Sequence, residues 1–442
     1  MAIMWSRIHV ELGLSPTPLT LDMLTQAVSQ RVRENEDLDW KLDLAWKNKD
    51  LPAEVKAKKK AEFAKDVAAM ANTRGGLIVF GVRDENEEAA DLTGLSNDER
   101  TRQSLRVLIW HHVRPLVDGV LIEAINGEDG EPGLIAVFVP PSPDAPHLVG
   151  DKNEVGVPYR YGTDTNWMSE GQLERAYRDR FSRRADDRAA LSTLMDGLVP
   201  EIDLEKGIWV AVAARPVAPL PLLSGRPERD QATATMKNAL QLASEMFGQP
   251  QGRVPMLDMI ASDAVNNPRN GLRRWVIRSN HYPADPHELV DWALVELHHD
   301  GSVALAIGMV RALTGVELPG DDAAVWHVWV AIVDAVITEA VALVSAHVRG
   351  LGGVGTILTR AALLRDETSG RAPLVAIDNR ASGGMQSSFF SRVPGSRALR
   401  EPVAVETEFS ADAEVATLRG VARQLADDLD QQFGMRCSSI PE

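Results

Sequence analysis

The sequence predicts an α+β protein with helices and strands in both halves of the chain. Segments whose apolar residues recur every three or four positions are separated by short segments that are alternating or uniformly apolar, and these patterns are typical of helices and strands. The 442 residues, 44% of them hydrophobic, suffice for more than one domain with its own core. We therefore predict two domains, residues 1–190 and 195–442, the second an α/β domain of unknown function.

The elements of the first half follow from these periods. A helix is predicted over 20–33, and the alternation in 38–44 predicts a strand with one buried face. A second helix over 52–73 stops before a glycine pair. LIVFGVRD at 77–84 predicts an apolar strand in which Gly81 indicates a bulge or a close approach to the backbone. The remaining elements are a helix at 97–112, strands near 119–125, 134–139 and 157–162, and a helix from the capping box of Ser169 and Gln172 to about 187.

The second half combines apolar strands with a long apolar helix and a C-terminal helix. A proline-rich stretch at 216–228 is predicted to be a loop or an extended segment. The predicted strands are 207–213, 273–278, 291–297, 302–308, 354–359 and 373–378, and the predicted helices are 321–348 and 410–433.

The charge of the chain limits how it could bind nucleic acid. With 47 Lys and Arg against 63 Asp and Glu, the net charge is −16, which argues against a protein that binds DNA through its overall charge. Any such contact needs a local basic cluster, and two are present, KAKKK at 56–60 and the arginine-rich ERAYRDRFSRRADDR at 174–188. Each is either a solvated helix face or a phosphate-binding surface.

Cysteine content and hydropathy bear on the compartment. The single cysteine, Cys437, excludes an intrachain disulfide framework and a four-cysteine zinc site. The apolar runs are too short for a transmembrane helix, and the N-terminus is a poor signal peptide. We expect a cytoplasmic protein in a reducing environment, without a membrane partner. A homo-oligomer is compatible with the sequence, which leaves the oligomeric state open.

Three separated motifs in the first half resemble one known family. They are ENEDLDWK at 34–41, AKDVAAMANTRGGLIVFGVRDE at 64–85 and VPYRYGTDTNWMSEGQLERAYRDR at 157–180. In this order they resemble the Schlafen-type AlbA-like domain, over roughly residues 19–188. Proteins of this family are often labelled divergent AAA-type ATP-binding proteins or transcriptional regulators. The resemblance implies a mixed sheet with helices in the first domain.

The resemblance also implies a site. In the Schlafen branch the domain is a ribonuclease that acts on tRNA and rRNA through three carboxylates and a divalent metal. Carried over to matching positions, these carboxylates are Glu34, Asp39 and Asp84, as catalytic residues and as ligands of Mg²⁺ or Mn²⁺. The sequence departs from the family at Asp39, where glutamate is usual, and at Trp40, where phenylalanine or tyrosine is common. A metal at Asp39 would therefore sit closer to its strand.

The spacing of the first two acids constrains the backbone. On a continuous helix or strand, Glu34 and Asp39 would point in different directions. They can converge only if the helix stops near Glu34 and the strand begins near Leu38. Asp84 could join them if its strand pairs beside the first. The alternative is that all three are ordinary surface acids.

Basic and aromatic residues near the motifs are candidates for nucleic-acid contact. Lys41 shares a strand face with Asp39, where it could touch a phosphate or neutralise an acid. Charge and stacking are offered by further side chains, although they could equally belong to a solvated helix face and an edge strand. These are Lys58, Lys59, Lys60, Tyr159, Arg160 and Tyr161.

Other motifs are weaker. Asn72, Thr73, Gly75 and Gly76 are predicted to be structural, ending a helix and leading into a strand, with a phosphate-binding backbone nest as the alternative. ATP binding has little support, because RGLGGVGTILTR at 349–360 lacks Gly-Lys-Ser/Thr and runs from helix to strand. The polar stretch 378–392 is read as a surface loop.

The sequence therefore predicts a nucleic-acid-handling protein that binds RNA or DNA. Its most specific form is a metal-dependent endoribonuclease that uses the three carboxylates. The alternatives are a non-catalytic nucleic-acid-binding or regulatory protein and an ATP-binding switch.

Overall fold

The computed structural model describes most of the chain and divides it into two compact units, Met1–Asp186 and Asp187–Glu442. The predicted α+β class is confirmed, since both units contain helices and sheets. The residues that the structure describes are 6–14, 17–125, 133–151, 154–218, 220, 227–248, 256–261, 268–279, 292–310, 325–366, 372–379, 390–436 and 440–441.

The helices of the described ranges include several near their predicted positions. They are α1 (Arg7–Leu12), α2 (Leu21–Ser29), α3 (Ala53–Ala71), α4 (Glu99–His112), α5 (Glu170–Asp196), α6 (Arg229–Phe247), α7 (Met256–Ala261), α8 (Val330–Gly350) and α9 (Val415–Gln431).

The strands of the first unit are mostly short. They are β1 (Leu38–Lys41), β2 (Gly76–Phe80), β3 (Val82–Glu85), β4 (Glu88–Leu92), β5 (Val113–Arg114), β6 (Leu121–Ile125), β7 (Leu134–Val139), β8 (Leu148–Asp151), β9 (Glu154–Gly156), β10 (Pro158–Tyr161) and β11 (Asp164–Trp167).

The strands of the second unit are longer on average. They are β12 (Gly207–Pro216), β13 (Arg269–Gly271), β14 (Arg274–Arg278), β15 (Ala293–His298), β16 (Val303–Val310), β17 (Trp326–Trp329), β18 (Thr356–Leu364), β19 (Leu374–Asn379), β20 (Phe390–Arg392) and β21 (Val405–Ser410).

The first unit is built on a four-stranded mixed sheet in the order β1-β2-β7-β6. β1 and β2 are parallel, and the other two pairings are antiparallel. Residues of β2 alternate between two cores, as expected of a strand buried on both faces. Ile78 and Phe80 pack with Phe63 and Val67 of α3, whereas Leu77 lies in the core formed with α1 and α2.

Two predicted strands of this unit end earlier than their patterns indicate. Strand 38–44 stops at Lys41, and Leu42 is 47% exposed rather than buried, because the chain leaves the sheet there and enters a 3-10 turn at Ala45–Lys47. Strand 77–84 is interrupted at Gly81, which adopts φ +96° and leaves no room for a side chain. Its ideal Cβ would lie 2.6 Å from Leu134 Cδ2, so the position requires glycine.

Local capping signals are confirmed. The Thr20 hydroxyl accepts from the backbone N–H of Met23 at 3.4 Å at the start of α2. Ser169 and Gln172 form the predicted capping box, with the Ser169 N–H donating to Gln172 Oε1 at 2.9 Å. Gly75, at φ +77°, donates its N–H to the Met70 carbonyl, so it ends α3 as predicted and its amide is not available for a phosphate nest.

The second unit has a seven-stranded antiparallel sheet in the order β13-β14-β15-β16-β12-β18-β21. Side chains of α6, α8 and α9 pack on one face, and Leu191, Met195 and Leu198, at and just beyond the end of α5, pack on the other. The sequence patterns missed α6, α7, β13, β17, β20 and β21. The predicted helix over 321–348 was wrong at its start, because Trp326–Trp329 form β17 and α8 begins only at Val330. A smaller sheet pairs β17 with β19 in parallel and β19 with β20 antiparallel.

Helix α8 lies at the centre of this unit. It is long enough to cross a membrane and apolar enough by composition, with a mean hydropathy of 1.7 in its most apolar window, but 94% of that window is buried inside the protein. Core helices of globular proteins share these properties, so the finding is weak support for a membrane span. The glycine-rich stretch 349–360 is the predicted turn, since α8 ends at Gly350 and β18 begins at Thr356. Cys437, most of 378–392 and much of 216–228 lie outside the described residues.

Candidate functional site

The predicted break between helix and strand brings Glu34 to β1. Helix α2 ends at Ser29, and Arg31 adopts a left-handed conformation with φ 52°. The Glu34 N–H donates to the Glu87 carbonyl at 2.7 Å, and Glu34 Oε1 accepts from the Trp40 N–H at 2.8 Å. The Glu34 carboxyl is thereby in hydrogen-bonding reach of the Asp39 carboxyl.

Asp39 is the centre of a buried group of charges. Its Oδ2 accepts from Lys41 Nζ and from Arg160 Nη2, each at 2.9 Å. Lys41 Nζ also lies 3.5 Å from Asp66 Oδ2, on α3. We call Glu34, Asp39, Lys41, Asp66 and Arg160 the acid cluster.

The central motif of the resemblance positions Arg160. Asn72 donates from Nδ2 to the carbonyls of His147 and Pro158, at 2.9 and 2.8 Å, and so ties the end of α3 to the start of β10. The Thr73 hydroxyl accepts the Arg160 N–H at 3.0 Å. These residues are structural, as predicted, and their hydrogen bonds hold Arg160 over Asp39.

Burial and charge shift the titration of the cluster. Burial, followed by the neighbouring Asp39 charge, raises the pKa of Glu34 to about 7, against the opposing effects of the Trp40 N–H hydrogen bond and of Lys41. Burial, followed by Asp39, also raises the pKa of Asp66. Burial alone would lower the pKa of Lys41, but Asp39 and Asp66 outweigh it, so the pKa is raised and the ammonium is retained.

Asp84 lies on the neighbouring β3–β4 hairpin and not on the elements that carry the cluster. The turn at Gly81 sends the chain into the β3–β4 hairpin, where Asp84 is exposed and opposite Ala89. Within the described residues, its carboxylate forms no ion pair with Lys41 or Arg160, the cations of the cluster. The third acid of the cluster is Asp66 instead. An aspartate inside the otherwise apolar end of α3 was the sequence signal for it.

The carboxylates do not fit the metal that the resemblance implies. Two fixed cations, Lys41 and Arg160, already bond the oxygen of Asp39 that a metal would compete for. Among the residues that the structure describes, no group of three or more His, Cys, Asp or Glu side chains could hold a metal ion. Of the two roles predicted for Lys41, its contacts favour neutralisation of acids.

The predicted nucleic-acid-binding residues are dispersed. Lys58, Lys59 and Lys60 are exposed on α3, and Lys59 pairs with Glu62 at 2.9 Å. Arg160 is buried, and its Nη1 donates to the Thr163 carbonyl. On either side of it, Tyr159 is half-buried and Tyr161 is 75% exposed.

A groove of about 1140 Å³, which sequence reasoning missed, runs between α3 and β9. We call it the α3–β9 groove. Lys58 and Lys65 lie on its α3 side, His111 and His112 come from the end of α4, and Trp167 of β11 lines the side formed by the strands. A tryptophan in an otherwise polar turn–strand segment, DTNW, was the only sequence signal for the last of these.

The comparison that decides the family of this region is with a family model. Residues 34–169 match the family described as Schlafen, AlbA_2. This segment is a Schlafen-type AlbA-like domain. The match covers less than half of the chain, and the acid cluster and the α3–β9 groove both lie within the AlbA-like domain. The family points to a nucleic-acid-related or nucleotide-binding function.

Comparisons with whole proteins add little to this assignment. No curated protein matches the chain. One solved structure with similarity to it is the DIP2311 protein from Corynebacterium diphtheriae, at 20% sequence identity and a TM-score of 0.22. The similarity covers 33% of this chain and 28% of that one.

Proposed function

We propose that the AlbA-like domain binds nucleic acid without a catalytic metal. The observation that carries the proposal is the exposed lysines of α3, of which Lys58 lines the α3–β9 groove and Lys60 lies outside its lining. Lys58 and Lys60 form no salt bridge within the described residues, although the chain has an excess of acids. Unpaired lysines on one helix provide the local positive charge that phosphate binding needs.

The acid cluster supports this form of the function. Lys41 and Arg160 supply two positive charges to Asp39 and Asp66, and the raised pKa of the third acid, Glu34, favours its neutral form, so the cluster has no need of an external cation. In this proposal Asp39 and Asp66, through Lys41 and Arg160, hold β1, α3 and β10 together. Nucleic acid binds on the surface that these elements form.

The test is a titration of the whole protein with labelled RNA and DNA oligonucleotides by fluorescence anisotropy, at several salt concentrations and with EDTA. We expect EDTA-insensitive binding that weakens with salt. In Lys58→Ala/Lys60→Ala, the slope of log K against log[salt] should decrease by about one per lysine that contacts a phosphate. Lys237→Ala, which removes an exposed lysine of α6 in the second unit, is the matched control. Binding that is unchanged in the double variant, or abolished by EDTA, would contradict the proposal.

A second candidate function is cleavage of RNA at the acid cluster, the finer activity that the resemblance implies. The meeting of Glu34 with Asp39 is the observation that favours it. Incubation with tRNA and Mn²⁺ should compare the wild type with Asp39→Asn and Asp84→Ala. Cleavage that only Asp39→Asn abolishes would place the activity at the cluster. Cleavage that requires Asp84 would restore the three-carboxylate site, and no cleavage would leave binding as the function.

ATP binding is the remaining alternative. A ligand that binds the native protein raises its stability by about 2.7 kcal/mol at a hundred times its Kd. We expect saturating ATP with Mg²⁺ to leave the melting temperature unchanged, and a clear upward shift would favour a nucleotide-binding switch.

A further inference from the structure

We propose that Trp167 is a stacking platform for a base of single-stranded nucleic acid in the α3–β9 groove. This inference rests on the proposed function and names the form of nucleic acid that the groove selects.

The first observation is the position of the Trp167 indole against the backbone of β9. Trp167 ends β11, and an ideal Cβ on Gly156 would lie 2.7 Å from its Cε3 and 2.8 Å from its Cζ3. The six-membered ring therefore rests directly on the backbone of β9, where only glycine leaves room for it. Trp167 is nevertheless 53% exposed. An indole that is backed by a strand and still half exposed is a rigid surface on which a planar base can stack.

The backbone around the indole fixes it further. Pro158 of β10 is the register partner of Trp167, and the next residue, Met168, donates its N–H to the Val157 carbonyl at 2.8 Å. The platform is thus held at both ends before any ligand arrives, which reduces the conformational entropy lost on binding.

The charged residues of the groove are suited to the phosphate groups of the nucleic acid. Lys58 and Lys65 line it, Lys65 lies 3.8 Å from Asp66, and the negative charge of Glu62 is balanced by Lys59. Glu154 is the opposing carboxylate of the lining. The positive charge lies on α3 and the aromatic face on β11, an arrangement that matches the phosphates and bases of one strand.

The size and the chemistry together favour a polymer with unpaired bases. At about 1140 Å³ the groove exceeds the roughly 300–1,000 Å³ typical of small-ligand pockets. In a duplex the bases are stacked on one another, so their faces are closed to a protein indole, whereas a single strand exposes them. Trp167 should therefore add affinity for single strands only.

The experiment is fluorescence anisotropy of the full chain with a labelled twelve-nucleotide oligouridylate and with an RNA hairpin duplex, at one salt concentration. We expect Trp167→Ala to weaken oligouridylate binding about tenfold or more and to leave duplex binding unchanged. Trp167→Phe should stay within about threefold of the wild type, because it keeps an aromatic face. Gly156→Val should act like Trp167→Ala, since the added side chain occupies the place of the ring.

The matched control is Trp110→Ala, which removes another exposed indole of the same domain that is not part of the groove lining. It should bind both probes like the wild type, and far-ultraviolet circular dichroism should show each variant folded.

If Trp167→Ala binds oligouridylate normally, or loses both probes equally, the platform is wrong while the proposed function stands. Complete competition by millimolar uridine monophosphate would instead indicate a mononucleotide pocket and overturn the inference. If the wild type binds neither probe, the proposed function fails and the platform fails with it.

Discussion

Arg160 donates from Nη2 to Asp39 Oδ2 across 2.9 Å, although 121 positions separate the two residues in the sequence. Both residues are buried, at 7% and 3% exposure. The bond joins β10 to β1, and Thr73 at the end of α3 holds the backbone of Arg160 in place. Three separated motifs thus meet at one ion pair, which explains how distant residues of the domain depend on one another.

Removing one partner of this ion pair should lower the free energy of unfolding by more than the intact pair contributes to it. Removing Arg160 leaves the buried Asp39 with Lys41 as its remaining cation, and breaking a buried ion pair typically costs up to about 3–5 kcal/mol. We expect Arg160→Met to lower the free energy of unfolding by about that amount in urea titrations, and Asp39→Asn in the same chain to restore part of it. The control is Arg83→Met, which removes an exposed arginine 3.5 Å from Asp91 and should cost at most about 1 kcal/mol. Equal effects of the two substitutions would show that burial of the Arg160 pair has no energetic consequence.

Glu34 should make the stability of the first unit depend on pH near neutrality. Its pKa is raised from the ordinary value of 4.5 to about 7 on folding, chiefly by burial. The folded state therefore holds this proton more tightly, and the stability it confers is complete below pH 4.5 and lost as pH rises through about 7. Since the side chain is partly exposed, the loss should be about 1–2 kcal/mol after solvent screening.

Glu34→Gln tests this. The amide oxygen can still accept the Trp40 N–H but does not titrate, so the variant should gain about 1–2 kcal/mol relative to the wild type between pH 5 and pH 8. Urea unfolding at a series of pH values measures the difference. Glu36→Gln, on the same turn and paired with Arg74, is the control and should show no such gain. A difference that does not change with pH would exclude a shifted titration at Glu34.

The sequence predicted the fold where periodicity and packing agreed. β7 begins and ends at its predicted residues, 134 and 139, because every position of that short strand is apolar and breakers follow it. The prediction was wrong at 38–44, because Leu44 continues the alternation in sequence but packs into the other core after the chain has left the sheet. An alternating pattern cannot distinguish a continuous strand from a strand followed by a bend, when the residue after the bend is also buried.

The site was predictable only in part for a similar reason. The Glu34–Asp39 meeting followed from local spacing and a break in the backbone. The partners of Asp39 did not, since Asp66 and Arg160 arrive from a helix and a strand whose placement depends on tertiary packing. Asp84 was assigned by resemblance to a motif, and the turn at Gly81 that removes it from the sheet requires three-dimensional neighbours, Leu95 and Leu134, to be understood.

Asp84 should therefore be unimportant for stability. It is exposed on the β3–β4 hairpin, and surface substitutions of this kind usually change the free energy of unfolding by no more than about 0.5 kcal/mol. We expect Asp84→Ala to unfold like the wild type in urea and to bind oligonucleotides with unchanged affinity. Asp66→Ala, which removes the buried partner of Lys41, is the contrasting variant and should be destabilised by more than 1 kcal/mol. A destabilised Asp84→Ala would reveal a contact of this carboxylate with the cluster.

His347 should give the second unit an opposite dependence on pH. It lies in the core on α8, where its Nε2 is 2.8 Å from the His298 carbonyl, and burial lowers its pKa to about 4. Donation of the Nε2 hydrogen to that carbonyl satisfies the neutral ring. In the unfolded chain His347 has a pKa near 6.5 and is protonated below it, whereas in the folded state the ring stays neutral down to about pH 4. The resulting stability is complete above pH 6.5 and is lost as pH falls to about 4, by up to about 3 kcal/mol.

His347→Gln keeps a donor without titrating, so the wild type should lose stability relative to this variant between pH 6.5 and pH 4 in urea unfolding. His111→Gln, which changes an exposed histidine of the first unit, should leave the profile unaltered. A parallel decline of His347→Gln and the wild type would mean that acid sensitivity arises at other groups.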